Sequence, residues 1–140
     1  FVSEMETGYV VIGDTQYFKG YALLLCKIHV GELHELEPAF RYRFLQEMSL
    51  VAEAVWNCMN PKMLNYELLG NSEPHLHWHI FPRYGDDPNP RGPIWQIPRE
   101  LRYAEEHRPT EQELAAYRSK LLNEIKRLTE NSSSKFARTI

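Results

Sequence analysis

The sequence predicts an α+β domain, and three observations carry that prediction. Two pairs of short β-rich runs each read as an antiparallel hairpin, a long run of helical periodicity lies between them, and a second helical run follows. Hairpins with helices between and after them pack as helices against an antiparallel sheet. A length of 140 residues suits one domain with a single core. Residues 1–130 are expected to form that domain, with the polar stretch 131–140 as a flexible C-terminal tail.

The elements follow in order. Phe1 to Met5 fits a short first strand. Gly8 to Ile12 carries Tyr9, Val10, Val11 and Ile12 and stops at Gly13-Asp14. Tyr21 to Lys27 is the next apolar run, and Gly13 and Gly20 bracket the polar loop between the two. Glu37-Pro38 opens a helix, because proline at the first position lacks only an N–H that has no helical partner. Phe40, Phe44, Met48, Val51, Ala52, Val55 and Met59 recur at helical spacing, and Asn60-Pro61 ends the run. That stripe reads as core packing. In Lys62 to Leu69, Leu64, Tyr66 and Leu68 alternate with Met63, Asn65 and Glu67 as on a strand. Gly70 to Pro74 makes a turn, and His75 to Phe81 returns antiparallel. Pro88, Pro90, Gly92, Pro93 and Pro98 make Gly85 to Pro98 an extended arm or structured loop. Thr110 and Glu113 fit a capping box, and Leu114, Tyr117, Leu121, Ile125 and Leu128 form the apolar side of a final helix.

Composition narrows the function. A net charge of −3 argues against a broad nucleic-acid footprint. No apolar run approaches the roughly 20 residues that span a bilayer, and no secretory pattern opens the chain, so a cytoplasmic location is expected. Cys26 and Cys58 are far apart in sequence and read as reduced core residues.

The chemistry is concentrated in His75-Leu76-His77-Trp78-His79-Ile80-Phe81. On a strand, Leu76, Trp78 and Ile80 would face the core, and the three histidines would share the opposite face. Imidazole serves as base, acid, nucleophile or metal ligand near neutral pH. A row of surface histidines is one alternative. A zinc site is another, although no acidic or cysteine partner follows at a familiar spacing. Nucleophilic histidine chemistry is the favoured reading.

The segment Asn65 to Pro74, the triad, and Pro82-Arg83-Tyr84 together resemble the histidine triad superfamily of nucleotide hydrolases and transferases. Its mark, His-x-His-x-His-x-x with apolar residues at x, is met in full. The resemblance implies an antiparallel sheet of about five strands, a long central helix, a C-terminal helix, and a homodimer. It implies His77 as nucleophile, His79 as donor to the α-phosphate, and His75 as a residue that fixes the tautomer and orientation of His77. Asn71 falls where a phosphate-contacting glutamine is common, and Ser72 where serine or threonine follows. Turn chemistry alone is the other reading of both. Asp14 falls where the ribose hydroxyls are held, or is a turn residue, and Ile12 and Leu23 would sandwich the base. Arg83 is expected to bind phosphate oxygens. Trp95 would stack on a second base, or anchor the arm to the core or the other subunit. No cofactor or bound metal is implied.

One departure qualifies the resemblance. Lys19-Gly20-Tyr21 stands where a Pro-Gly-His triplet is common, so Tyr21 replaces a fourth histidine. His29 and His34 read as loop or helix-start residues. The expected activity is hydrolysis at the α-phosphate of a dinucleoside polyphosphate, such as diadenosine tetraphosphate, or of a nucleoside phosphoramidate, through a nucleotidyl-histidine intermediate. The branch resembled is that of the fragile histidine triad and dinucleoside polyphosphate hydrolases. A nucleotide-binding regulatory protein with little catalysis, or a metal-binding module, are the alternatives.

Overall fold

The computed structural model describes residues 1–136. Its strands are β1 (Ser3–Glu4), β2 (Gly8–Ile12), β3 (Ala22–Cys26), β4 (Met63–Glu67) and β5 (His77–Arg83). They form one antiparallel sheet in the order β1-β2-β3-β5-β4. Both expected hairpins are present, and β5 lies between β3 and β4, so the triad strand is central rather than at an edge.

One face of the sheet is covered by helices. α1 (Pro38–Met59) begins where the proline predicts, with the Glu37 side chain accepting from the Ala39 and Phe40 N–H groups. It ends at Asn60, whose φ of 49° is a left-handed cap. Phe44, Val51, Ala52 and Val55 are buried, while Phe40, Met48 and Met59 pack at the margin. Against them lie Val10, Ala22, Leu24 and Ile80 from the sheet and Leu76 just before β5. A fully buried side chain such as Phe44 contributes roughly 1.5–3 kcal/mol relative to exposure. Glu47 is the polar exception on α1. Its carboxylate accepts from the Glu6 and Thr7 N–H groups and the Thr7 hydroxyl, which fastens the β1–β2 turn to the helix.

After β5 the chain folds over the opposite face of the sheet. The arm holds single turns at Ile94–Gln96 and Glu105–His107 and a short helix, α2 (Arg99–Arg102). Ile94 and Ile97 are buried in a second cluster with Phe18, Tyr21 and Phe81. The last helix, α3 (Glu111–Phe136), starts with the capping box, Thr110 and Glu113 bonding reciprocally. It places Leu121, Ile125 and Leu128 in the main core. The helix continues through part of the expected tail, as far as Phe136; residues 137–140 lie outside the described residues. Among the described residues no helix is long and apolar enough to cross a membrane.

Candidate active site

Strand register assembles the site on the sheet face away from α1. Leu25 lies opposite His77, Leu23 opposite His79, and Glu67 opposite His79 from the other side. Directly opposed residues share a face, so Leu23, His79 and Glu67 form a row across three strands.

The three histidines do not form the expected single row, because β5 begins at His77 and His75 precedes it. The His75 ring crosses to β3, where Nε2 lies 2.7 Å from the Cys26 carbonyl. A carbonyl only accepts, so Nε2 carries the proton and Nδ1 of the neutral ring accepts. Its partner is Nδ1 of His29 at 2.8 Å, which therefore donates. His29 was missed by sequence reasoning. The available signal was its place just beyond β3, the strand that pairs with β5.

His77 takes its orientation from the His75 main chain. Its Nδ1 lies 2.5 Å from the His75 carbonyl. The same argument puts the proton on Nδ1 and, in the neutral ring, leaves a lone pair on Nε2. His75 thus orients His77 through its carbonyl, while its ring pins that backbone to Cys26. His77 Nε2 faces His79 Nε2 at 2.9 Å, with the rings 71° apart. His79 Nδ1 meets the Tyr21 hydroxyl at 2.7 Å. Burial, and then the adjacent His77 ring, pull His79 down to about 4, so it is neutral at physiological pH. Burial also raises the Tyr21 phenol far above its usual range. A bare imidazole nitrogen beside a neutral ring that can donate is the arrangement nucleophilic catalysis requires.

The other expected residues divide. Asn71 and Ser72 are exposed in the turn before the triad. A cleft of about 40 Å³ beside His75 and His77 is lined by the neighbouring Leu69 and Gly70, with Gly31 and Glu32 opposite. Asp14 is exposed at the end of β2, and its charge acts on Tyr21, at the far end of the hydrogen-bond chain. Leu23 packs at the edge of the Tyr21–Phe81 cluster on the triad face.

Ile12 and Leu23 do not sandwich one space. In the β2–β3 register Val11 opposes Leu23 and Ile12 opposes Ala22, so Ile12 belongs to the helix face. It opens instead onto a cavity of about 460 Å³, lined also by Gln16, His107, Tyr117 and Lys120 and by none of the triad.

Arg83 is likewise placed elsewhere than expected. Its side chain is 3% exposed, with Nε on Asp87, Nη1 on Asn65 and the Gly92 carbonyl, and Nη2 on the Asn89 carbonyl. The guanidinium also lies over the Phe18 ring. Every nitrogen is engaged in holding the arm, so Arg83 is a clamp and not a phosphate ligand. Trp95 is 60% exposed, while its neighbours Ile94 and Ile97 anchor the arm.

Glu67 is a second residue the sequence reading passed over. It is 8% exposed, and its Oε2 is buried with no hydrogen-bond partner. Burial raises its carboxyl, against the lowering charges of Arg102 and Arg83. The alternation of β4 was its signal, since it puts Asn65 and Glu67 on the triad side. Among the described residues no three His, Cys, Asp or Glu side chains are grouped to hold a metal ion.

A central His-x-His strand in a five-stranded antiparallel sheet, backed by one long helix, defines the histidine triad class of domain. The HIT domain matches residues 2–86, more than half of the chain, and the protein belongs to the HIT domain family. Members of this superfamily bind nucleotides and are generally hydrolases or transferases. Protein hit of Bacillus subtilis strain 168 is 26% identical over 113 residues, covering 77% of this chain and 74% of its own length. The structure of a histidine triad protein from Marinobacter aquaeolei VT8 matches with a TM-score of 0.77 at 26% identity, over 91% of this chain and 88% of that one. A histidine triad protein from Bradyrhizobium japonicum shares the fold, with a TM-score of 0.78 at 22% identity over 89% and 88% of the two chains.

Proposed function

We propose that this protein is a nucleotidyl hydrolase acting through a nucleotidyl-His77 intermediate. Its substrate class is a dinucleoside polyphosphate, such as diadenosine tetraphosphate, or a nucleoside phosphoramidate. The observation that supports this best is the fixed tautomer of His77, with Nδ1–H on the His75 carbonyl and Nε2 turned toward His79. In the first step the Nε2 lone pair attacks the α-phosphorus. A P–N bond forms, and the bond to the leaving phosphate or amine breaks with its electron pair departing. His79 donates to a phosphoryl oxygen as charge builds there. Water then cleaves the P–N bond, releasing the mononucleotide and restoring His77. Asp14 is assigned to the ribose, and Asn71 and Ser72 to the phosphate side of the turn.

A homodimer belongs to this reading. Tyr42 and Trp56 are 62% and 40% exposed on α1, and Met63 and Tyr66 are exposed on the edge strand β4. Leu50, on the same helix, packs at the core margin. Light scattering at micromolar concentration checks the dimer.

The activity test offers diadenosine tri- and tetraphosphate, adenosine phosphoramidate and adenosine phosphosulfate, and measures mononucleotide release. Mass spectrometry of the quenched protein is expected to find the nucleotidyl adduct on His77. Failure to release a mononucleotide from any of the four substrates would sink the hydrolase reading.

A further inference from the structure

We infer that Tyr21 is a positioning residue that sets the tautomer of His79, so that His79 turns an Nε2–H toward the phosphoryl group. The catalytic consequence rests on the hydrolase reading, whereas the tautomer itself does not. The proton order follows by elimination from one backbone atom. The His75 carbonyl can only accept, so His77 carries a proton on Nδ1 and, in the neutral ring, its Nε2 is bare. That bare nitrogen faces His79 Nε2 at 2.9 Å, so the His79 proton sits on Nε2. His79 Nδ1 is then bare, and the Tyr21 hydroxyl at 2.7 Å donates to it. When a phosphoryl oxygen enters between the two imidazoles, the same Nε2–H is already aimed at it.

Tyr21 is itself rigidly held. Its ring stacks on Phe81 at 4.1 Å between centroids and 9° between planes, and it is 7% exposed. Gly13 also lies against the ring: a Cβ there would fall 2.0 Å from a Tyr21 ring carbon, so only glycine admits the ring in this position. The charged or titratable groups acting on the hydroxyl are Tyr103, Asp14, Glu67 and Arg102. None of them hydrogen-bonds to His79, whose ring nitrogens are both taken by Tyr21 and His77. Tyrosine here supplies an uncharged donor whose proton order does not change across the working pH range. A histidine in its place would itself titrate near neutrality.

The test is Tyr21→Phe, which keeps the stacked ring and removes only the hydroxyl. Nitrogen-labelled histidine resonances of the substrate-free protein, recorded above neutral pH and assigned with His79→Gln, report the tautomer directly. In the wild type His79 is expected to be wholly Nε2–H, and in Tyr21→Phe an Nδ1–H population is expected to appear. kcat should fall about tenfold with KM unchanged, the pattern of an interaction made in the transition state. An Nδ1–H tautomer in the wild type, or an unshifted tautomer in Tyr21→Phe, would overturn the inference. So would a shifted tautomer with unchanged kcat. Because the tautomer is read without substrate, an inactive wild-type protein would count against the hydrolase reading alone.

Discussion

The two faces of the sheet are built by different physics. The helix face buries Val10, Ala22, Leu24 and Ile80 against α1 and α3 by non-directional apolar contact. The triad face is fixed by directional bonds: the Cys26 carbonyl on His75, the His75 carbonyl on His77, Tyr21 on His79, and Arg83 on the arm. Apolar packing tolerates substitutions of similar volume at small cost. A hydrogen-bonded chain has no such slack, because each proton position dictates the next. The proposed chemistry therefore lies on the second face and most of the stability on the first.

The widest separation between the faces should come from His77→Ala. Losing the proposed nucleophile is expected to reduce turnover by at least about a thousandfold. The half-buried ring contributes little to the core, so the melting temperature should stay close to that of the wild type. Calorimetry and steady-state kinetics on one preparation check both. A variant with near-normal kcat would remove His77 as nucleophile.

Arg83→Met probes a place where the triad face carries stability. The Asp87 side chain, 8% exposed, would lose its cation, and the Asn89 and Gly92 carbonyls would lose their donor. Removing one partner of a buried ion pair costs roughly 3–5 kcal/mol. Denaturant unfolding should show that loss, and Arg83→Met with Asp87→Asn should recover part of it. A loss confined to KM, with unfolding unchanged, would return Arg83 to the substrate.

The same contrast explains what the sequence disclosed. α1, α3, both hairpins and the core side of β5 follow from periodicity, because apolar burial leaves a pattern along the chain. The identity of the triad residues was equally legible. The partners were not. Tyr21 reaches His79 only through the β3–β5 register, His29 reaches His75 across 46 positions, and the Arg83 clamp exists only once the arm has folded back. Ile12 was misplaced by one residue of strand phase, which on a strand is the whole difference between faces.

A pH titration separates the faces again. His79 is lowered from 6.5 to about 4 in the folded protein. Between those values the unfolded chain binds a proton that the folded one does not. The resulting stability is present above 6.5 and is lost as pH falls toward 4. His79→Gln should flatten that part of the curve. Glu67 titrates in both proteins, so the difference between the two unfolding curves isolates the histidine. Parallel curves would show that His79 is not desolvated as described.

His29→Ala should have a smaller effect. His29 is exposed, and water can take over its donation to His75 Nδ1. A fall in kcat of a fewfold is expected, with His75 still held on Cys26. A loss as large as that of His77→Ala would make the His29–His75 pair part of the reaction itself.

The smallest effect on the fold, and the most selective on function, is expected at Trp95. Ile94 and Ile97, 3% and 5% exposed, already anchor the arm on Phe18, Tyr21 and Phe81, so the 60% exposed indole is not needed for that role. Trp95→Ala should change stability by less than about 0.5 kcal/mol. An exposed indole on an arm beside the triad face offers a stacking surface to a second base, and such stacking is worth roughly 1–3 kcal/mol per base. The variant should therefore raise KM for a dinucleoside polyphosphate severalfold and leave a small phosphoramidate, which has no second base, unaffected. Equal loss on both substrates would mean that Trp95 supports the site rather than the second nucleoside. A change in oligomer mass would assign it to a subunit contact, and no change in any measurement would remove the arm from substrate recognition.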